Sequence, residues 1–418
     1  MSSSITQLIK SQTNNAADGT GIKKLVKLTQ NLLHTKTIPK YLVDYVQAQQ
    51  QSQFGGYPDH KDIAPSAIFT AVFAIFFIAH LSIFIKNYSR GHIFWPGLAL
   101  AFYALCRWLG FALRIVWAKN IMKIDVGLAS EVLLALPILF LATINLILAQ
   151  RVFTWAHPAG GNSRPYWIFM SVLYFAVFAV VLMTIVAGVI PYLYFLSEKH
   201  FNMCKNVMKV SAILDVLYTL TAISLILLSW ILPTTANDRA QMVYQPTWIE
   251  SFHLLYYPPR GAAQRAEREF VERHGTHVRP ARTITFVHTK DSRLMSFFKF
   301  NNVHSASLFL IARTSFLVLI GAVFRAVGLF LNRTAGQKDW IYKPVVMYIL
   351  WGLLETIINI WYLVDRIDLR FYKPSAIRWK KYGEVEPKAP ETDRPLSDDH
   401  IDDKPAISMR SSANTEEV

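Results

Sequence analysis

Seven stretches of about 20 or more predominantly apolar residues follow one another along the chain, and each is long enough to cross a hydrocarbon core of about 30 Å as a helix. Because backbone amides inside a bilayer must be hydrogen-bonded within their own segment, such a chain folds as a helix bundle. The sequence therefore predicts an all-α, seven-transmembrane helix bundle with a long loop between helices 5 and 6 and a disordered C-terminal tail. Pro137 inside the third stretch predicts a kink, and Pro191 predicts a helix end after the fourth. The candidate spans, numbered 1 to 7, are 65–85, 94–117, 127–150, 166–188, 207–232, 306–331 and 343–364.

Composition supports this class, because 53% of the residues are hydrophobic and only 17% are charged. The chain divides into a polar N-terminal lead (1–64), a seven-helix transmembrane domain (65–364) that includes loop 233–305, and a tail (365–418). The tail is basic at first and then rich in Pro, Asp, Ser and Glu, which predicts disorder. Within the loop, "AAQRAEREFVERHG" predicts one charged helix.

The polar lead contains "GIKKLVKLTQNLL", in which apolar residues and lysines fall on opposite faces of a helix. Two interpretations stay open. The segment is either an amphipathic helix on the membrane surface, or a short solvated helix or no stable structure, because isolated helices of this length are marginal. The Gln-rich "QAQQQSQFGGYP" at the end of the lead predicts a flexible connection. The apolar face holds Ile22, Leu25, Val26, Leu32 and Leu33, and the basic face holds Lys23, Lys24 and Lys27.

Positive charge outside the spans predicts the orientation of the bundle. The net charge is +15, and Lys and Arg concentrate in loop 233–305 and directly after span 7. The positive-inside rule then places the loop and the tail in the cytosol and the N-terminus on the extracytoplasmic side. The three short loops on the opposite side nevertheless carry a few more Lys and Arg than their two cytosolic counterparts. We expect an integral, multi-pass protein of the plasma membrane or an endomembrane.

Ionisable and amide side chains lie inside spans 2, 3, 5, 6 and 7. Each charge costs about 2.5–3.5 kcal/mol on insertion scales, so it is expected to face the bundle interior. Helix direction places Arg114, Glu131, Asp215 and Arg325 in the outer half of the membrane, where one polar cavity would unite them. The alternative is that each arginine pairs with an acid to lock two helices together. Arg114 and Arg325 are also placed where they could snorkel to the interface. The candidate ligand-binding residues are Arg107, Arg114, Glu131, Asn145, Asp215, Arg325, Glu355 and Asn359.

The sequence predicts that the protein is not an enzyme and has no cofactor or metal site. It contains no phosphate-binding glycine loop and no nucleophile elbow. Span 7 has no lysine between Lys343 and Asp365 that could hold retinal, and no pair of histidines lies within a span. Cys106 and Cys204 differ in depth, so a disulfide is not expected.

Four short motifs give the chain a resemblance to a known family: "GFALR" at 110–114, "PILFLATINLILAQR" at 137–151, "FRAVG" at 324–328 and "YLVD" at 362–365. They resemble the fungal seven-span family associated with aminocholesterol resistance and described as lipid-translocating exporters. This resemblance implies lipid export. The chain departs where that family tends to carry acids, at Arg107 and Gly328. The residues that match the family pattern are Pro137, Ala142, Arg151, Arg325 and Asp365. "QFGGYP", "NYSRGHIF" and "WAHPAGG" are similar to an uncharacterised fungal seven-transmembrane family, itself distantly similar to the exporters.

Together these features predict a multipass membrane protein that binds or translocates a lipid-like or amphiphilic small molecule through an outward-opening polar cavity. The alternative is a seven-transmembrane receptor or sensor that signals through loop 233–305 and the tail. That alternative lacks the acid-Arg-aromatic triplet after span 3 and the Asn-Pro turn in span 7 that are typical of G-protein-coupled receptors. A structural or stress-response protein without a ligand also stays open. The expected partners are membrane lipids, an amphiphilic ligand and a cytosolic partner of loop 233–305, but not nucleic acid.

Overall fold

The computed structural model describes Gln7 and residues 11–34, 38–240, 248–249, 251–274, 303–337 and 339–372. Residues 275–302 of the predicted long loop lie outside the described residues, as does the tail beyond residue 372, where disorder was predicted.

Seven helices of the described chain are long and apolar enough to cross a membrane, which confirms the predicted all-α bundle. Most of them extend beyond the predicted apolar stretches. Span 5 begins about two turns before the predicted apolar stretch, because the mainly polar residues "EKHFNMCKN" that precede this stretch are also helical. The spans are His60–Ser89, Trp95–Lys119, Ile124–Ala156, Arg164–Leu193, Glu198–Ile231, Ala306–Leu331 and Pro344–Val364.

The prolines in spans 3 and 4 have different effects on their helices. Span 3 consists of Ile124–Ala135 and Pro137–Ala156 with a break at Leu136, directly before Pro137, where the kink was predicted. A proline ring removes one backbone donor and clashes with the preceding turn, which explains the break. Pro191 was predicted to follow span 4, but it lies inside that helix, two residues before its end at Leu193.

Span 3 lies at the centre of the bundle and packs against spans 2, 4, 5 and 6. In its most hydrophobic window 61% of the residues are buried, compared with 17% in span 1 and 22% in span 4. Spans 1 and 4 are therefore peripheral. Their outward faces carry large exposed apolar side chains such as Phe175 and Phe178, which is the surface expected to meet lipid.

The polar lead folds back onto the end of the bundle where span 1 begins, which we call the lead end. Two helices, α1 (Ile22–Leu33) and α2 (Lys40–Gln49), precede segment 50–57. Segment 50–57 was predicted to be flexible, but it is tied to the connection between spans 6 and 7. The amide of Ser52 donates to the carbonyl of Arg333 (2.8 Å), and Gln51 forms an isolated antiparallel bridge with Thr334.

The predicted amphipathic pattern of α1 is confirmed, but its apolar face turns toward protein. Ile22 is buried, and with Leu25 it lines a cavity of about 60 Å³ between α1, α2 and the lead ends of spans 2 to 4. Lys24 and Lys27 are exposed. Lys23 forms a 2.6 Å ion pair with Asp125 at the start of span 3. The side chains of Leu32 and Leu33 lie outside the described part of the structure.

Part of loop 233–305 packs against the opposite end of the bundle, where span 7 finishes, which we call the tail end. The guanidinium of Arg366 is buried and donates to the carbonyls of His253 (3.1 Å), Leu254 (2.9 Å) and Tyr256 (2.6 Å). Burial alone would raise the pKa of Asp368, but hydrogen bonds and charge from Arg366 hold that pKa below its usual range. The predicted charged helix follows as Ala262–His274.

An odd number of spans places the lead and the tail on opposite sides of the membrane, and we predict that the lead end faces away from the cytosol. A glycosylation sequon introduced near Asn15 should be modified, whereas one introduced near Ser397 should not, because the glycosylation machinery acts on the extracytoplasmic side. The measurement is the change in mass after endoglycosidase treatment. Modification at Ser397 alone would invert the orientation.

The native sequon at Asn87 is a poor substitute for the introduced sites. Its side chain is buried, and the amide nitrogen donates to the Asp368 carboxylate at 2.7 Å. Asn332, in the other native sequon, directly follows span 6.

Candidate ligand-binding site

Arg107 and Glu355 form a buried ion pair that joins spans 2 and 7. The Nε atom of Arg107 lies 2.6 Å from Oε2 of Glu355, and its Nη2 atom contacts Oε1. The Tyr103 hydroxyl, one turn before Arg107 on the same helix face, also donates to Glu355. Arg107 further donates to the carbonyl of Leu134, just before the break in span 3. One guanidinium therefore connects three spans.

Asn359 extends this network toward span 1. Its amide nitrogen donates to the carbonyl of Glu355 (2.7 Å) and to the hydroxyl of Tyr103 (3.3 Å). Its oxygen lies 3.1 Å from Nε2 of His80. Asn359 thus serves as a polar link between spans 1, 2 and 7.

Arg114 is fully buried, so it does not snorkel to the interface. Its Nη2 atom donates to the carbonyls of Gly55 (2.9 Å) and Gly56 (3.1 Å) in segment 50–57. Two carboxylates balance the positive charge of Arg114: Oδ2 of Asp62 lies 3.6 Å from Nη2, and Oε1 of Glu131 lies 3.5 Å from Nη1. Arg114 therefore anchors the folded-back lead to span 2. Both glycines have positive φ, and a Cβ atom at Gly55 would lie 2.5 Å from the Met347 sulfur.

Asn145 forms a third, separate polar contact deep in the bundle. Its oxygen accepts from the hydroxyls of Tyr362 (2.5 Å) and Thr314 (3.2 Å), which joins spans 3, 6 and 7. The amide nitrogen of Asn145 has no partner among the described residues. This site is isolated from the ion pairs and is surrounded by the apolar core.

Arg325 and Asp215 form the fourth cluster, between spans 5 and 6. Their closest atoms, Nη1 and Oδ2, lie 2.5 Å apart, and both side chains are almost fully buried. The pair is incompletely satisfied, because Nη2 of Arg325 and Oδ1 of Asp215 have no partner in the described part of the chain. Buried polar groups normally have hydrogen-bond partners. Two unpaired atoms in one ion pair therefore indicate that a further hydrogen-bonding group can be bound there.

A cavity of about 160 Å³ lies beside this pair, between spans 3 to 7 and segment 50–57. It is distinct from the smaller one under α1, and we call it the cavity at the lead end. Of the eight predicted site residues, only Glu131 and Arg325 line it, so the structure distributes the predicted set over four clusters rather than around one cavity. Its walls are mainly apolar. The polar and aromatic lining residues that the sequence did not single out as site residues include Gln53, Thr184, Tyr192, Lys205 and Trp351.

Unpaired polar atoms belong to three of the residues that line this cavity. They are Nη2 of Arg325, Oε1 of Gln53 and Nε1 of Trp351, each buried and without a partner among the described residues. Two of these atoms are donors and one is an acceptor. The cavity thus combines apolar walls with a few polar side chains, which is the usual composition of a small-molecule site.

Trp351 owes its position to a π-helical turn, Tyr348–Leu354, within span 7. Its ring contacts Phe54 of the lead, with centroids 4.7 Å apart, and the guanidinium of Arg107 lies 5.0 Å from it. Gly352 in the same turn allows Phe69 of span 1 to pack closely, because a Cβ atom there would overlap that ring. Single π turns occur frequently at functional sites. This turn joins the cavity to the Arg107 network.

Within the described residues, no group of three or more His, Cys, Asp or Glu side chains is placed to hold a metal ion. Cys106 and Cys204 are both free and buried.

Residues 158–372, just over half of the chain, match the family model described as "Protein of unknown function (DUF3112)". The chain belongs to the DUF3112 family. The DUF3112 match contains spans 4 to 7, and with them Asp215, Arg325, Glu355 and Trp351. No curated protein and no solved structure matches the chain. The resemblance to lipid-translocating exporters therefore stays a prediction from the motifs.

Proposed function

We propose that this multipass membrane protein binds or translocates an amphiphilic small molecule, whose polar group enters the cavity at the lead end and meets Arg325. The observation that carries the proposal is the unpaired Nη2 atom of Arg325, a buried cationic donor among the residues that line the cavity. Leaving such a donor unsatisfied costs about 1–3 kcal/mol or more, so a ligand acceptor placed there gains that free energy on binding.

The chemistry of the lining favours an anionic or strongly polar headgroup. Arg325 and Lys205 contribute positive charge, whereas the negative charge of Glu131 is balanced by its ion pair with Arg114. Apolar side chains such as Val132 and Leu329 form much of the remaining wall and suit a hydrocarbon portion. An amphiphile satisfies both parts of this surface at once.

The size of the cavity limits what it can hold in this conformation. At about 160 Å³ it is smaller than the about 300–1,000 Å³ typical of pockets for drug-sized ligands. A small molecule, or the polar end of a larger amphiphile, fits that volume. A bulkier ligand requires segment 50–57 to move, because Gln53 and Phe54 form part of the wall. We therefore assign segment 50–57 the role of a gate on the lead side.

The test removes both charges of the Arg325–Asp215 pair together, so that neither is left buried alone. The double variant Asp215→Asn with Arg325→Gln should fold, but it should retain about tenfold less amphiphile than the unmodified protein. The reason is that a hydrogen bond to a charged group contributes about 1.5–3 kcal/mol. The measurement is an unbiased lipid and small-molecule profile of protein purified in native membrane discs.

A matched control lies on the same helix. Arg313 of span 6 pairs with Asp365 and does not line the cavity. The double variant Arg313→Gln with Asp365→Asn should keep the same bound species as the unmodified protein. Equal retention by both double variants would overturn the proposal and leave the Arg325–Asp215 pair with a structural role only.

A further inference from the structure

A larger cleft of about 680 Å³ lies at the tail end, between the end of span 3 and the start of span 4. Gln150, Arg151 and Thr154 line it from span 3, while Arg164 and Trp167 line it from span 4. It shares no lining residue with the cavity at the lead end, so a ligand in this cleft is independent of the function proposed for that cavity.

Two arginines face this cleft, and none of the described residues that line it carries a carboxylate. Arg151 is held in place by donating to the carbonyl of Phe371 and by a cation–π contact with Phe94, at 5.2 Å from the ring centroid. Arg164 is exposed. The nearby Asp238 carboxylate does not line the cleft and accepts from the amides of Ala159 and Thr235, both at 3.0 Å. The cleft therefore presents net positive charge.

The depth of these arginines matches the headgroup region of a bilayer. Arg164 is the first residue of span 4, and Arg151 lies five residues before the end of span 3 at Ala156. At 1.5 Å per residue, Arg151 is about 7.5 Å from that helix end. Asn162 of the short connection adds an amide to the same wall, and the N-terminus of span 4 favours negative charge.

The open side of the cleft is bordered by exposed apolar residues of the kind expected to meet lipid. Trp167 and Ile168 line it and are 66% and 55% exposed, and they continue into the exposed apolar face of span 4. Tryptophan at this level is typical of the membrane interface, where its apolar ring and polar N–H meet different surroundings. A ligand in the cleft can thus keep hydrocarbon chains in the bilayer while its headgroup contacts the arginines.

We propose that the cleft between spans 3 and 4 is a binding site for an anionic phospholipid, with the phosphate between Arg151 and Arg164 and an acyl chain along Trp167 and Ile168. Phosphate groups are good acceptors for guanidinium donors. Basic pockets between helix ends are also a common form of lipid-headgroup site.

The test compares full-length protein in discs of phosphatidylcholine alone and of phosphatidylcholine mixed with phosphatidylglycerol. Native mass spectrometry should show selective retention of phosphatidylglycerol by the unmodified protein. Arg164→Gln should reduce that selectivity about fivefold, which corresponds to about 1 kcal/mol for one arginine near the surface. Arg164 is exposed, so this variant should fold normally. Adding Arg151→Lys should weaken retention further, because a lysine cannot form a bidentate contact with phosphate.

Arg260→Gln is the matched control, because Arg260 is exposed at the same end of the bundle but lies outside the cleft. It should leave the selectivity unchanged. Inorganic phosphate and glycerol 3-phosphate, added as soluble competitors, should not displace the lipid. The proposal is overturned by unchanged selectivity in Arg164→Gln, by an equal loss in Arg260→Gln, or by displacement with either soluble phosphate.

Discussion

Replacing Glu355 with glutamine is expected to lower the free energy of unfolding by about 3–5 kcal/mol, because the Arg107 guanidinium is then buried without a counter-ion. Arg107 is fully buried and bonds to Glu355 through two of its nitrogens. The loss should appear as a lower thermal unfolding midpoint in detergent and as reduced recovery of monodisperse protein.

The companion variant replaces both partners, Arg107→Gln and Glu355→Gln. Two neutral amides remove the unpaired charge, so this double variant should recover most of the stability that Glu355→Gln alone loses. A single variant as stable as the unmodified protein, or a double variant no more stable than the single, would contradict a stabilising role for the ion pair.

The architecture was predictable because lipid imposes a strong and local requirement on sequence. A spanning helix needs about 20 apolar residues, and a proline inside one removes a backbone donor, so the seven spans and the break beside Pro137 are visible without any tertiary information. The folded-back lead was not predictable in this way. Segment 50–57 has no regular period, and it is held by backbone carbonyls whose partner, Arg114, lies about 60 residues away.

The site was only partly predictable, for a related reason. Charge inside a span marks a residue as buried in the bundle, but it does not reveal which partner it meets. The choice of Glu355 for Arg107 and of Asp215 for Arg325 depends on how the helices pack. Gln53 and Trp351 carry no charge, so charge within a span could not identify them. Trp351 could have been suspected from its position one turn before Glu355, on the same helix face.

Replacing Arg114 with glutamine is expected to release segment 50–57 and to open the cavity at the lead end. The variant loses the charge-assisted bonds to the carbonyls of Gly55 and Gly56, each worth about 1.5–3 kcal/mol. Cys204 lines the cavity and is 9% exposed, so it reports on opening. In a Cys106→Ala background, maleimide should label Cys204 at least about ten times faster than in the protein that retains Arg114.

Two further variants separate release of the segment from general damage. Gly55→Ala should also speed the labelling of Cys204, because φ is +88° there and the added Cβ would meet Met347, although no charge changes. Arg333→Gln removes a half-exposed arginine at the same end but leaves the backbone bond from Ser52 intact, so labelling should stay slow. Unchanged labelling in Arg114→Gln and Gly55→Ala would refute the assignment of segment 50–57 as a gate.

The Arg107–Glu355 pair also has a consequence for how the protein is made. The two residues are 248 positions apart, so at about 5–20 residues per second a ribosome needs about 12–50 s to add the second after the first. During that interval span 2 has entered the membrane with a guanidinium whose acidic partner has not been synthesised. Span 2 must therefore wait in a protein-lined or hydrated environment rather than in free lipid. Biogenesis of this bundle is expected to depend on an insertion machinery that holds early spans until the last one arrives.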